Sequence, residues 1–176
     1  MPYNNENISL TQNEQDSFGL EETILTVMNT GATLKDIYEI DENVIENIYA
    51  HAYEFYQQGR LDEAEKFFKF LCMYDLKNAD YFIGLGVVYQ LKKDYAKACD
   101  IYALSYVMAK NNHCPVFYSG QCHLQMGDIA KALYCFDLVC NESTDVKLVK
   151  KAEVYRKVIK EARLSETEVK TETSIS

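Results

Sequence analysis

From about Asp41 onward the apolar positions fall at helical spacing in runs broken by short polar turns, and the pattern itself recurs. Gly59, Lys93 and Gly127 stand 34 residues apart, and the same offset joins Ala64, Ala98 and Ala132, then Phe68, Tyr102 and Phe136. When units are counted from residues 45, 79 and 113, the fourth position is apolar in each: Ile48, Phe82, Val116. The eighth is small (Ala52, Gly86, Gly120) and the seventeenth apolar (Leu61, Tyr95, Ile129). Small residues held in one helical column mark places where helices approach, and larger ones fill the space between them.

This is the tetratricopeptide pattern, and it predicts an all-α superhelix with two antiparallel helices per unit. The units run over about 45–78, 79–112 and 113–146, within a repeat region of 41–146. Turns are expected at Gln58-Gly59-Arg60, Lys92-Lys93-Asp94 and Met126-Gly127-Asp128. Lys93 stands where Gly is preferred, so either a left-handed backbone is strained there or the turn takes another geometry. No Trp occupies a fourth position, and His51 and His123 stand where Leu and Tyr are usual.

The flanks read differently. Residues 1–18 are polar, rich in Asn, Gln and Glu, and are expected to form a mobile arm. Residues 19–40 are expected to be helical: Leu20, Ile24, Val27 and Met28 line one face and Gly31 offers a stop. Thr33 and Asp36 then offer a cap for a short turn holding Leu34, Ile37 and Tyr38. Residues 147–163 carry Leu148, Ala152, Tyr155 and Ile159 at helical spacing, as a helix covering the last repeat would. The polar stretch 164–176 reads as a disordered tail.

In such an array the first helices of the pairs line a concave surface, and their positions 5, 9 and 12 share one face. Those positions hold Tyr49, Tyr53 and Tyr56, then Ile83, Val87 and Gln90, then Phe117, Gln121 and Leu124. Rings and aliphatic groups with a few amides and hydroxyls suit apolar side chains on an extended peptide backbone. Three ordinary core sites would more often be Leu, Ile or Ala than three tyrosines. The surface carries no Lys and Arg cluster of the kind that captures a C-terminal carboxylate.

Charge narrows the class of partner. Acidic residues outnumber basic ones 27 to 18, a net charge of −9, which argues against direct nucleic-acid binding. Residues 1–40 hold one basic and seven acidic groups, whereas 145–176 hold eight and six. The basic helix with Lys147, Lys150, Lys151, Arg156, Lys157, Lys160 and Arg163 spreads its charge around its circumference and reads as a solvated face, with a partner surface as the alternative. The 14 Tyr, beside 8 Phe and no Trp, hint at a recognition surface. No secretory signal and no uncharged apolar run near about 18 residues is present, so a cytoplasmic protein without stable membrane insertion is expected.

Catalytic and metal signals are weak. His113, Cys114, Cys122 and His123 lack the close pairing of a zinc knuckle. Cys135 with His123 as base has no orienting group or oxyanion site beside it. Gly84 and Gly86 lack the Lys and Ser or Thr of a phosphate loop. The six cysteines are expected to be thiols, with no cofactor and no metal, in a binding protein that is not an enzyme.

Four stretches carry a closer resemblance: GATLKDIYEI at 31–40, IYAHAYEFYQQGRLDEAEKFFKFLCMYD at 48–75, LGVVYQLKKDYAKACDIYALSY at 85–106 and PVFYSGQCHLQMGDIAKALYCFDLV at 115–139. Over about 20–160 the chain resembles the class II chaperones of bacterial type III secretion, and within them the branch from invasion-associated systems of enteric bacteria. The resemblance implies that the groove receives an extended N-terminal segment of a hydrophobic translocator, with Tyr49, Tyr53 and Tyr56 at aromatic binding positions. It implies, besides, association with an AraC-like transcription activator and a weak homodimer. A tetratricopeptide scaffold without chaperone activity would share the repeat residues.

Overall fold

The computed structural model describes Leu25, Asn29 and residues 33–38, 40–109 and 111–173, with side chains as far as residue 163. The expected arm at 1–18 and most of the expected helix before Gly31 lie outside the described residues. Among the described residues every regular element is helical: α1 (Leu34–Ile37), α2 (Glu42–Gln57), α3 (Leu61–Tyr74), α4 (Ala79–Leu91), α5 (Tyr95–Met108), α6 (Cys114–Gln125), α7 (Ile129–Glu142) and α8 (Val146–Thr173).

Local chemistry sets most boundaries. Asp41, Asn78, Asp94 and Asp128 cap α2, α4, α5 and α7, each accepting a hydrogen bond from a backbone N–H of the first turn. Pro115 sits in the first turn of α6, where its missing N–H costs nothing. Thr33 and Asp36 form a reciprocal capping box on α1, with Asp36 N–H donating to Thr33 Oγ1 at 3.3 Å and Thr33 N–H to Asp36 Oδ2 at 2.6 Å. Lys35 ties this short helix to Asp75 at 3.0 Å.

The three expected turns are equivalent, and all are Schellman closures. Arg60 N–H donates to Phe55 C=O at 2.9 Å, Asp94 to Tyr89 at 3.0 Å and Asp128 to His123 at 2.9 Å. The residue before each donor is left-handed: Gly59 at φ 73°, Lys93 at 62° and Gly127 at 77°. Lys93 therefore takes the strained option, because the flanking helices must meet at the same angle in every pair.

Each long helix packs on the one before and the one after, so the core is a continuous seam between pairs. Ala64, Ala98 and Ala132 are fully buried at the close approaches, and Phe68, Tyr102 and Phe136 fill the space between. Around Phe68, Leu71, Phe82, Leu85 and Tyr102 lies one apolar cluster, and around Phe117, Phe136, Val139, Leu148 and Ala152 another. Tyr118 packs against both. Helix α8 covers the third pair as expected through Leu148, Ala152 and Ile159, but continues to Thr173, past the expected end at Arg163. No Gly or Pro follows Arg163, so nothing in the chain stops the helix there.

Candidate functional site

The first helices of the three pairs enclose a groove of about 380 Å³. Helix α2 supplies Tyr49, Tyr53 and Tyr56, α4 supplies Ile83, Val87 and Gln90, and α6 supplies Gln121. These are seven of the nine residues picked out by the repeat register. The tyrosines form one wall in which ring edges meet ring faces: Tyr49 and Tyr53 have centroids 5.6 Å apart at 68°, and Tyr53 and Tyr56 5.7 Å apart at 70°. Tyr53 is 45% exposed, a large apolar ring offered to solvent.

Phe117 and Leu124 do not join them. Phe117 is 4% exposed and packs edge-on against Tyr155 of α8 at 5.5 Å and Phe136 at 5.6 Å, inside the second apolar cluster. Leu124 faces a separate cleft with Ile129, Val154 and Val158. The cause is one helix: α8 lies against the third pair and covers the face that the same positions leave open in the first two.

Five further residues complete the groove: Phe68, Asp80, Gly84, Leu91 and Tyr118. Phe68 is the floor, 6.1 Å from Tyr49 and 6.3 Å from Tyr53 between centroids. It can lie there because Gly84 opposite has no Cβ, which would otherwise sit 2.6 Å from two atoms of the ring. Gly84 and Tyr118 occupy the same repeat position, the sixth, where α2 has Ala50. A column holding Ala, Gly and Tyr is uneven in size, unlike the uniformly small eighth column, and that irregularity was the available signal.

The two amides are held in defined orientations. Tyr102, buried behind α4, donates its hydroxyl to Gln90 Oε1 at 2.8 Å, which leaves the Gln90 NH₂ directed elsewhere. Gln121 Nε2 donates to the Tyr155 hydroxyl at 2.9 Å, leaving its carbonyl as an acceptor. The groove therefore offers one amide donor and one amide acceptor, the pair an extended backbone needs. Burial, helped by neighbouring tyrosines and Asp80, pushes the Tyr49 hydroxyl above its ordinary pKa, and burial does the same for Tyr118. Both are neutral phenols at physiological pH, able to donate as well as accept.

The weak catalytic signals resolve into packing. His113 is buried at the start of α6 against the Tyr106 ring, 5.5 Å away, and Cys122 is fully buried in the first cluster. His123 Nε2 lies 3.9 Å from Cys99 Sγ. Burial pushes the Cys135 thiol up to about 11, away from the thiolate that a nucleophile requires. All six cysteines are free thiols, and no three His, Cys, Asp or Glu side chains among the described residues could hold a metal ion. No helix among the described residues is long and apolar enough to cross a membrane.

Three antiparallel pairs with equivalent turns and an apolar groove on the first helices define a tetratricopeptide protein, and the tetratricopeptide repeat family matches over residues 45–78 and 80–112. The chaperone protein SicA of Salmonella typhimurium is 50% identical over 86% of this chain and 92% of its own length. This chain belongs to the family of type III secretion translocator chaperones. Solved structures agree: PcrH, known from Pseudomonas aeruginosa, in complex with the chaperone binding region of PopD is 30% identical with a TM-score of 0.64, covering 70% of this chain and 96% of that one. SycD of Yersinia enterocolitica in complex with a peptide of the translocator YopD is 27% identical with a TM-score of 0.66, covering 72% and 99%.

Proposed function

We propose that this protein acts in the cytoplasm as a chaperone for hydrophobic type III secretion translocators, taking an extended N-terminal segment of the client into the groove between α2, α4 and α6. Occupation of the groove prevents premature association or aggregation before export, by reversible binding without bond chemistry. The wall of Tyr49, Tyr53 and Tyr56 over the Phe68 floor supports this reading, since it offers exposed aromatic surface to apolar anchors. The oriented amides of Gln90 and Gln121 suit the backbone between anchors. That SycD is known with a peptide of the translocator YopD, and PcrH with the chaperone binding region of PopD, supports the same class of client.

Stoichiometric co-purification of a hydrophobic translocator through its N-terminal region is the expected result. Truncating Tyr49 or Tyr53 to Ala should weaken binding about thirtyfold, the equivalent of about 2 kcal/mol for a buried interface aromatic. Helix content and unfolding midpoint are read in parallel, so that collapse of the first pair is not mistaken for a lost contact. Folded Tyr49→Ala and Tyr53→Ala variants with undiminished affinity would refute the groove location. A folded chain that binds other proteins but leaves translocator solubility unchanged would favour the scaffold reading. The family resemblance extends the proposal to a weak homodimer and to an AraC-like activator whose binding client occupancy competes with or alters. In a reconstituted transcription assay, stimulation unaffected by omitting the chaperone would remove that second role.

A further inference from the structure

The groove is lined by rings, aliphatic side chains, amides and a single charged group, Asp80. Asp80 is the second residue of α4 and is exposed. Its N–H is satisfied by the Asn78 cap at 3.1 Å, but no cation or hydrogen-bond donor meets its carboxylate among the described residues. The carboxylates of neighbouring α3 behave differently. Asp62 and Glu65 share Lys92, and Glu63 holds Arg60 at 2.7 Å. Thus the carboxylate that opens onto the groove has no cation beside it among the described residues.

Its surroundings suit a cation. Tyr49 and Tyr53 line the groove with it, and Tyr81, the next residue of α4, packs against Tyr49 with its ring tilted by 49° and centroids 5.4 Å apart. Asp80 is near enough to Tyr49 to help raise the pKa of its hydroxyl. An ammonium or guanidinium group placed here would gain a charge-assisted bond to the carboxylate and an attraction to ring faces. A first-turn carboxylate also favours its own helix through the helix dipole, and that role needs no ligand. The two roles separate experimentally, because only the first depends on what occupies the groove.

Resting on the peptide-groove reading above, we propose that Asp80 is the specificity-determining residue of the groove, and that the bound segment carries a lysine or arginine beside its apolar anchors which docks on this carboxylate. The anchors supply most of the affinity, while the cation sets which anchor enters which depression. The net charge of −9 favours the encounter with such a segment over one that is acidic.

Selection of a random dodecapeptide library on the full chain tests this. The wild type should enrich apolar residues together with Lys or Arg at one fixed offset from them. Asp80→Asn should keep the apolar preference and lose the basic one, and Asp80→Lys should turn it towards Asp or Glu. With a selected peptide, replacing its basic residue by norleucine should cost the wild type about fivefold in affinity and the Asp80→Asn variant less than about twofold. That coupling should shrink with added salt. Wild-type selections without a basic residue at a fixed offset, or a basic preference that survives Asp80→Asn, would overturn the assignment while leaving the groove intact. Selections without apolar anchors, or unchanged by Tyr53→Ala, would overturn the peptide-groove reading itself.

Discussion

Gly84→Ala sets helix propensity against packing, and the geometry decides which wins. Alanine is favoured over glycine in a helix interior by about 1 kcal/mol, so α4 alone would be stabilised. The added methyl, however, would lie 2.6 Å from Cδ1 and Cζ of Phe68 and nearer still to Cε1. Carbon atoms rest at about 3.5–4.0 Å, so the ring must move by about 1 Å. Phe68 is 1% exposed and packs edge-on beneath Tyr49 and Tyr53, so a ring pushed away from Gly84 presses on the two groove tyrosines. Overpacking of this kind costs about 1–3 kcal/mol, and after the helix-propensity gain the net expectation is a loss of up to about 2 kcal/mol. For a chain of this size that lowers the melting temperature by up to about 8 °C. Urea unfolding and peptide affinity are measured on the same preparations, and affinity should fall beyond the change in folded fraction. Phe68→Leu in the Gly84→Ala background should recover part of both. A Gly84→Ala variant at least as stable as the wild type, with unchanged peptide affinity, would refute the packing argument.

Lys93→Gly should stabilise the fold, because a left-handed non-glycine residue costs about 1–2 kcal/mol against the roughly 0.5–1 kcal/mol of extra chain entropy that glycine loses. A urea midpoint below that of the wild type would count against the turn geometry. Glu65 predicts part of the acid limb: burial opposes its ionisation, but hydrogen bonds from Lys92 and Lys69 outweigh burial and hold its pKa below the ordinary 4.5. A carboxylate lowered on folding contributes stability that is present above the unfolded pKa and lost as pH falls through the folded one. Glu65→Gln should therefore be less stable than the wild type at neutral pH, with the difference closing below about pH 4.5; an equal gap at all pH values would exclude the linkage.

The repeat was legible because its signals are local. A left-handed residue after a helix, a small residue at a crossing and an aromatic beside it are each required by the geometry of one pair, so the same columns recur in all three. Lys93 shows the limit of that reading. The residue type left two geometries open, and what excluded one was the packing of α4 on α5, which no single residue encodes. The far end of α8 lies beyond the expected Arg163 for a related reason: polarity after Arg163 argues against burial, whereas ending a helix takes a stop signal that the residues after Arg163 do not supply.

The site was legible only where the array repeats itself with an open face. Tyr49, Ile83 and Phe117 hold the same register position, yet the first two line the groove and the third is core, because α8 closes the last pair. The sixth column shows the converse. Ala50, Gly84 and Tyr118 differ in size along one line of the array, so Phe68 rises beside Gly84 to make a floor and Tyr118 joins the lining at the far side. Residues that obey the period build a superhelix that any tetratricopeptide protein could share. Seven of the groove's lining residues follow the register, whereas its floor and far side depend on Gly84 and Tyr118 in the irregular sixth column and its one charge on Asp80, so substitutions at Gly84, Tyr118 and Asp80 should alter client choice more than they alter the fold's identity.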